Sequence, residues 1–153
     1  MSNKIIVFDT TLRDGEQAAG SRLGAREKLT IARQLERLQI DVIEAGFPAS
    51  SPEDAAAVAL IAQEVREPTI CGLTRAVKTD IDVCAKALEK ASRPRIHTGI
   101  GVSDIHVMGK FGDIKYGQTI EDKKKRILDM AINAVRHART YVDDVEFYAE
   151  DAG

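Results

Sequence analysis

Short runs of β-branched and other apolar residues alternate along the chain with segments whose apolar residues recur at helical spacing. The first run, Lys4–Phe8, reads KIIVF and lacks period-two alternation, as is typical of a buried strand in a parallel sheet. Similar short runs predict further strands along the chain. These are Val42–Ala45, Thr69–Leu73, Arg95–Val102 and Val142–Phe147.

Helical spacing and capping residues predict a helix after each of these strands except the last. The first helix covers Ala25–Leu38, and the second has Pro52 at its first position, where the missing amide proton costs nothing. Three pairs of residues have the spacing of a capping box, in which side chains bond the free amides of a helix start. They are Ser51 with Asp54, Thr79 with Asp82, and Thr119 with Asp122. A longer loop, Ser103–Gln118, precedes the last helix.

Strands that alternate with single helices predict parallel βαβ units with right-handed crossovers. Two α/β folds are built this way: an open doubly wound sheet, and a (β/α)8 TIM barrel, which needs roughly 250 residues. The chain has 153 residues and ends soon after the fifth strand, without a helix to cover it. We therefore expect residues 1–153 to form one partial TIM-barrel catalytic domain, the N-terminal portion truncated after strand 5. In either fold the loops after the strands build the site.

Composition fits an ordinary globular domain and argues against several classes of protein. The chain is 44% hydrophobic and 30% charged, and its net charge of −2 gives no sign of a nucleic-acid-binding surface or a polybasic membrane patch. It lacks an apolar run of the roughly 20 residues that span a bilayer, and a signal or transit segment. We expect a cytoplasmic protein with neither nucleic acid nor membrane as a partner. Cys71 and Cys84 are expected to be buried, reduced thiols.

The loop after the first strand concentrates charged and polar side chains. Within Thr10–Gln17 it carries a cation, two carboxylates and an amide. Asp14 is suited to bind a hard divalent cation through oxygen, and Arg13 to polarise a carbonyl or clamp a carboxylate. An Arg–Asp ion pair in an ordinary turn is an equal alternative on these residues alone.

The segment Asp9–Gln17, DTTLRDGEQ, resembles the opening signature of the 2-isopropylmalate, homocitrate and citramalate synthase family, which also includes lyases acting on 3-hydroxy-3-methylglutaryl-CoA. Further blocks match this family in order and spacing. They are EAGFP at Glu44–Pro48, CGL at Cys71–Leu73, RIHT at Arg95–Thr98, VEF at Val145–Phe147 and EDAG at Glu150–Gly153. Within the family, GFPASS and the VEFxxEDAG ending are most similar to 2-isopropylmalate synthases.

The resemblance implies a role for each matching position. Asp14 would bind the divalent metal, which is Mg²⁺ or Mn²⁺, with Zn²⁺ as a third choice. Arg13 would contact the 2-oxo acid and the developing alkoxide, and Glu150 would approach the substrate as the second catalytic residue. The remaining substrate-binding positions are Gln17, Glu44, His97 and Tyr148.

Two departures from the family pattern concern the same site. Ala18 and Ala19 replace a Ser-Pro pair found in many members, with a modest expected effect on loop shape. Tyr148 replaces a small residue, often Ser, so it would narrow the pocket or supply a hydroxyl. The identity of the 2-oxo acid that binds there therefore stays open. Of the other histidines, His137 is expected to be a surface or packing residue, and His106 is a weaker site candidate in the loop after strand four.

The activity that the resemblance implies is a metal-assisted Claisen condensation of acetyl-CoA, the co-substrate, with a 2-oxo acid. For a 2-isopropylmalate synthase this acid is 2-oxoisovalerate, and the pathway is leucine biosynthesis. The family's metal-binding His-x-His motif does not occur in this sequence. We therefore expect the chain alone to be inactive and to bind metal weakly. Its open strand edges predict self-association, with a homodimer as the expected oligomer.

Three alternatives stay open from the sequence. Homocitrate or citramalate synthases, and lyases of the same family, would use related sites with other substrates. A non-catalytic half-barrel that binds an oxo acid or a partner subunit is the alternative outside enzymes.

Overall fold

The computed structural model describes residues 4–152, so Gly153, which closes the EDAG block, lies outside it. Its sheet has five strands, and each strand pairs in parallel with the next along the chain. The strands are β1 (Phe8–Asp9), β2 (Val42–Gly46), β3 (Thr69–Arg75), β4 (Pro94–Gly101) and β5 (Asp144–Glu150). A doubly wound sheet reverses its strand order at a switch point, whereas this order runs in one direction. The expected N-terminal half of a (β/α)8 barrel is therefore confirmed.

The helices pack on one side of the sheet. They are α1 (Ala25–Arg37), α2 (Pro52–Glu64), α3 (Lys78–Ala87), α4 (Asp104–Met108) and α5 (Ile120–Ala138), with short 3₁₀ turns at Gly15–Gln17 and Ile114–Tyr116. Ile43 of β2, Ile70 of β3 and Ile96 of β4 are fully buried in the core that the sheet forms with these helices. Each such side chain contributes about 1.5–3 kcal/mol through burial. Among the described residues, none of the helices is both long and apolar enough to cross a membrane.

Side chains alternate between the two faces of each strand, and this decides what the barrel interior contains. Because Ile43, Ile70 and Ile96 face the helices, their neighbours in sequence, among them Glu44 and His97, face the interior. Cys71 is fully buried on this interior side, and Cys84 of α3 is fully buried in the helical core. Both are free thiols, as expected.

The capping predictions have three different outcomes. Thr119 and Asp122 form the predicted box, with each backbone amide 3.1 Å from the other residue's side-chain oxygen. Ser51 caps α2, since its Oγ accepts from the Asp54 amide. The Asp54 carboxylate does not complete the box, because it accepts from the Phe47 amide and from Lys28 Nζ instead.

The third capping prediction, Thr79 with Asp82, is wrong. Helix α3 already begins at Lys78, after Val77, which makes no side-chain cap. Asp82 is instead bonded to His137 and Tyr141, because α5 and the following turn lie beside this end of α3.

The first predicted strand is shorter and less buried than expected. Only Phe8 and Asp9 are paired as strand residues, and Ile5, Ile6 and Val7 are 83%, 59% and 49% exposed. This segment lies at the edge of the sheet, with a strand neighbour on one side. A run of apolar residues becomes buried only when both faces and both edges of its strand are covered.

Two other boundaries also differ from prediction. The predicted loop Ser103–Gln118 contains α4 and a 3₁₀ turn, because Ser103 caps the short helix and Phe111 is buried against Tyr116. The last strand begins at Asp144 rather than Val142 and runs to Glu150. Val142 is buried but precedes the pairing, which starts where Arg95 meets Asp144.

Candidate active site

Glu44 lies at the centre of the charged groups on the interior face. Its Oε1 is 2.7 Å from Nδ1 of His97, which lies in the middle of β4. Its Oε2 is 4.0 Å from Nε of Arg13, in the loop after β1. The Glu44 side chain is only 2% exposed, so its carboxyl group meets these two neighbours rather than solvent. One buried carboxylate therefore holds two residues from different segments.

Two buried polar atoms of this cluster lack a hydrogen-bond partner. Among the described residues, Arg13 Nε and His97 Nε2 are buried and have no hydrogen-bond partner; the same is true of Thr98 Oγ1, which lies on the opposite face of β4. A buried polar atom without a partner costs stability, so such atoms are uncommon outside functional sites. The contact of Nδ1 with Glu44 orients the His97 ring, and Nε2 is the ring nitrogen left without a partner.

The loop that carries Arg13 and Asp14 is a tight turn. The amides of Arg13, Asp14 and Gly15 all donate to the carbonyl of Thr10, at 3.0, 2.8 and 3.2 Å. Arg13 Nη1 lies 2.8 Å from Asp14 Oδ1, which is the ion pair that the sequence allowed as an alternative. Since the same guanidinium also reaches Glu44, the pair is part of the wider charged cluster rather than an isolated surface contact.

A buried lysine, which the sequence motifs did not predict, anchors this loop. Lys28 of α1 is 2% exposed, and its Nζ lies 2.6 Å from Glu16 and 2.5 Å from Asp54. Asp54 also accepts from the Phe47 amide at 2.6 Å, so the loops after β1 and β2 are joined through one cation. The signal was available, because Lys28 stands in line with the buried stripe of Ala32 and Leu35 on α1.

Two aromatic rings cover glycines on β4. The ring of Tyr148 lies over Gly99, and the ring of His106 lies over Gly101. The Tyr148 ring centroid is also 4.9 Å from that of His97. Burial, and then the charge of Glu150, raise the pKa of the Tyr148 hydroxyl, which keeps it protonated at neutral pH. His106 thus lies on the interior side of the strand, near the carboxyl end of β4.

The predicted site residues lie on the interior face of the sheet or in the loop after β1. Arg13, Asp14, Glu44, His97 and Tyr148 form the cluster described above. Glu150 ends β5 opposite Gly101, where its carbonyl accepts from the Val102 amide at 3.0 Å. Gln17 stands apart from Glu44 and lines a cleft of about 960 Å³ between the β1 loop and the start of α2, which Arg13 also borders. His137, as expected, packs between helices outside the site.

Asp14, the position that the family resemblance implies as a metal ligand, has a largely exposed carboxylate. Its carboxylate is 64% exposed at the mouth of the site and offers the oxygen donors that hard cations prefer. A hard cation takes about six ligands, so Asp14 fits as one ligand of an incomplete set.

Glu44, Cys71 and His97 also lie close enough together to share an ion, with ligand atoms within 4.8 Å of one another. Two features oppose such a site. Burial, and then the charge of Glu44, raise the pKa of the Cys71 thiol well above its usual value, which disfavours the thiolate that metals bind. The Arg13 guanidinium beside Glu44 adds a positive charge at the same place.

A half-barrel of parallel strands whose interior face carries a charged cluster beside the loop after β1 defines part of a (β/α)8-barrel protein. The HMGL-like family profile matches residues 4–153, and the chain belongs to that family.

Its relatives include proteins named 2-isopropylmalate synthase. The chain is 52% identical to that of Pseudoalteromonas atlantica, 53% to that of Parabacteroides distasonis and 52% to that of Aliivibrio fischeri. Each alignment covers 100% of this chain but only 28%, 29% and 28% of the relative, respectively. The chain therefore spans between a quarter and a third of the length of the relatives it matches.

Proposed function

We propose that this chain is the N-terminal part of a 2-isopropylmalate synthase, residues 1–153 being part of its TIM-barrel catalytic domain. The complete enzyme would condense acetyl-CoA with 2-oxoisovalerate in leucine biosynthesis. The observation that carries the proposal is the cluster in which Glu44 holds both Arg13 and His97 and leaves Arg13 Nε and His97 Nε2 without partners. Identity above 50% with synthases over the whole chain supports the same activity.

The cluster suits a small anion with a neighbouring ketone. A 2-oxo acid offers only oxygen acceptors, and Arg13 brings guanidinium donors to them from the loop after β1. His97 approaches from β4, so the acid would be held between two segments. Arg13 is also placed to stabilise the negative charge that develops on the ketone oxygen, where preorganised donors contribute most to catalysis.

Asp14 would supply one oxygen ligand of a divalent cation, Mg²⁺, Mn²⁺ or Zn²⁺. When bound, that cation would polarise the ketone as a Lewis acid. The other ligands would come from the part of the full-length protein beyond this chain, where the family resemblance implies a His-x-His motif. Asp14 is held toward the site by Arg13, so the ligand and the oxyanion-stabilising residue are positioned by the same turn.

Glu150 is the carboxylate best placed to act on acetyl-CoA. In the proposed reaction a base removes a proton from the acetyl methyl group, and the resulting enolate forms a carbon–carbon bond to the ketone carbon. Water then cleaves the thioester and releases CoA. Glu150 ends β5, the strand whose Tyr148 contacts His97, which supports a position for Glu150 beside the proposed 2-oxo-acid site. We propose that Glu150 holds or moves the methyl proton.

Cellular context completes the proposal. The two buried, free cysteines suit a reducing compartment, and we propose a cytoplasmic location. The exposed apolar residues at the β1 edge favour association of this chain alone, since the rest of the barrel would cover that edge in the complete protein. For the complete protein we propose a homodimer.

The test is an assay of the full-length protein with 2-oxoisovalerate, pyruvate and 2-oxoglutarate, in which release of CoA from acetyl-CoA is measured. We expect 2-oxoisovalerate to give the highest kcat/KM. A preference for pyruvate or 2-oxoglutarate would indicate a citramalate or homocitrate synthase instead. Cleavage of 3-hydroxy-3-methylglutaryl-CoA would indicate a lyase. Binding of 2-oxoisovalerate without any release of CoA would favour the non-catalytic half-barrel.

A further inference from the structure

The ring of His106 covers the last residue of β4 on the interior face of the sheet. A Cβ atom built on Gly101 would lie 2.5 Å from Cγ, 2.5 Å from Nδ1 and 2.9 Å from Cδ2 of His106. Carbon atoms in contact are separated by roughly 3.5–4.0 Å, so the imidazole occupies the space that a side chain at position 101 would take. Gly101 does not have a left-handed backbone conformation, so the close approach of the ring is the reason for glycine here.

The carboxylate proposed to act on acetyl-CoA is next to this ring. Gly101 and Glu150 are register partners and are the last residues of β4 and β5. Neighbouring strands lie about 4.7–4.9 Å apart, and side chains that are paired across them share one face. Because the His106 ring takes the place of a side chain at Gly101, it is the neighbour of the Glu150 side chain across the two strands.

One ring nitrogen of His106 is held in place and the other is available. Nδ1 is 3.2 Å from Oγ of Ser103, and that oxygen also accepts from the His106 amide at 3.2 Å. Nδ1 is in addition 4.0 Å from Oδ2 of Asp151. Within residues 4–152 these are the ring's polar contacts, so Nε2 is left for a ligand. When the Ser103 hydroxyl donates its proton to Nδ1, the imidazole carries its own proton on Nε2 and can donate it in a hydrogen bond.

We propose that His106 is a catalytic residue whose Nε2–H donates a hydrogen bond to the thioester oxygen of acetyl-CoA. This inference rests on the proposed function, in which Glu150 accepts a proton from the acetyl methyl group. As that C–H bond breaks, its electron pair forms the C=C bond of the enolate, and the carbonyl electrons move to the thioester oxygen. The hydrogen bond stabilises this charge while His106 keeps its proton. The enolate carbon then bonds to the ketone carbon, and the thioester C=O forms again.

The positions of the two side chains fit the two ends of this enolisation. The methyl carbon and the thioester oxygen are separated by two bonds, so a base and a hydrogen-bond donor that act on them must lie side by side. His106 and Glu150 are such neighbours at the ends of β4 and β5. Arg13 serves the ketone oxygen of the 2-oxo acid in the proposed function, so each oxygen that gains negative charge has its own donor.

The experiment uses the full-length protein with acetyl-CoA and 2-oxoisovalerate, and compares histidine variants. His106→Asn keeps an amide near the position of Nδ1 but places no donor at Nε2, so kcat should fall on the order of 100-fold or more, as for removal of one oxyanion donor. His106→Gln extends its amide to the position of Nε2 and should recover at least about tenfold of that loss. His137→Asn makes the same change at a histidine outside the site, and its kcat should stay close to that of wild type. The Kd of 2-oxoisovalerate, measured by calorimetry, should be unchanged in all three variants, because His106 acts on the other substrate.

Acetyl-CoA deuterated at the methyl group separates a catalytic role from a structural one. Loss of the donor slows proton removal itself, so the deuterium isotope effect on kcat in His106→Asn should equal or exceed that of wild type. An isotope effect suppressed toward one would show that a different step was slowed, and would overturn the role of His106.

The remaining outcomes separate this role from the proposed function. If His106→Asn does not fold, His106→Leu, which keeps apolar bulk over Gly101, carries the same expectation. A wild-type protein that releases no CoA with any 2-oxo acid would refute the proposed function, and the role of His106 would fall with it. An active wild-type enzyme whose folded His106→Asn variant keeps its full kcat would refute the role of His106 alone, as would equal losses in His106→Asn and His106→Gln.

Discussion

The carboxylate of Glu44 and the ring of His97 are joined by a 2.7 Å contact, although the two residues are 53 positions apart in the sequence. The contact forms because β2 and β4 both direct these residues into the barrel interior, on either side of β3. Glu44 is almost fully buried, and its second carboxylate oxygen, Oε2, lies 4.0 Å from Nε of Arg13. The orientation of two proposed substrate-binding residues thus depends on one carboxylate.

Replacing Glu44 by glutamine tests this dependence. Glu44→Gln keeps an oxygen that can accept from His97 but removes the charge that holds Arg13. Hydrogen bonds to charged groups contribute about 1.5–3 kcal/mol, so we expect kcat/KM for the 2-oxo acid to fall about 10- to 100-fold. Steady-state kinetics of the full-length protein measures the loss, and circular dichroism checks that the fold is kept.

The matched control is Glu146→Gln. Glu146 is the register partner of His97 but is bonded to Arg95 rather than to the cluster. Glu146→Gln makes the same chemical change on the same face of the sheet, and we expect it to alter kcat/KM much less. Equal losses in both variants would show that charge anywhere on this face matters, and not the contact with Glu44.

Replacing Lys28 by methionine should destabilise the protein. Lys28→Met leaves Glu16 and Asp54 without the buried cation that both contact. Removing one partner of a buried ion pair costs about 3–5 kcal/mol. The midpoint of urea unfolding should therefore fall clearly. Lys124→Met removes an exposed ion pair with Asp104 and should lower the midpoint far less, because exposed ion pairs contribute little to stability. A Lys28→Met midpoint equal to that of Lys124→Met would contradict the anchoring role.

The contact between α3 and the end of α5 predicts a dependence of stability on pH. Hydrogen bonds from His137, and then from Tyr141, lower the pKa of Asp82. A lowered folded-state pKa stabilises the protein above the unfolded-state value of about 3.9, and this stabilisation is lost as pH falls through the folded-state pKa. Asp82→Asn should therefore be less stable than wild type at neutral pH, and the difference should shrink below about pH 4.

Urea unfolding at several pH values measures this difference. Asp129→Asn removes an exposed carboxylate elsewhere on α5 and accounts for the general effect of net charge. If the difference in free energy of unfolding between wild type and Asp82→Asn stays constant from neutral to acidic pH, ionisation of the Asp82 carboxyl does not contribute to stability.

The isolated chain, residues 1–153, should self-associate. Ile5, Ile6 and Val7 are exposed at the β1 edge, and exposed strand edges recruit other chains. Sedimentation velocity should show the average mass rising with concentration, and Ile6→Lys should reduce the effect, because an edge lysine opposes pairing. A monomer at every concentration would argue against association through this edge.

The isolated chain should also bind divalent cations weakly and show no synthase activity. Asp14 is one oxygen ligand where a hard cation takes about six. Calorimetric titration with Mn²⁺ should detect a tight site on the full-length protein, weakened by Asp14→Asn, and none on residues 1–153. A micromolar site on the isolated chain would show that the described residues bind metal by another arrangement, with Glu44, Cys71 and His97 as the first group to test.

Several features were predictable because they depend on residues close together in the sequence. The order of strands and helices, the cap at Ser51 and the box at Thr119 all follow from local spacing, and the structure confirms them. The predicted box at Thr79 is wrong because it also relied on local spacing alone. Spacing does not show that Asp82 is bonded to the distant residues His137 and Tyr141. The exposed edge at Ile5–Val7 was missed because burial depends on neighbours outside the segment.

The sequence by itself determined the class of fold and the family, because periodicity selects elements and short motifs carry chemistry. Tertiary structure alone decided how the chemistry is arranged: Glu44 between Arg13 and His97, Lys28 between Glu16 and Asp54, and the Tyr148 ring over Gly99. The physical reason is register. A contact between strands or loops exists only when the sheet aligns two distant residues on one face, and no pattern within either segment specifies that alignment.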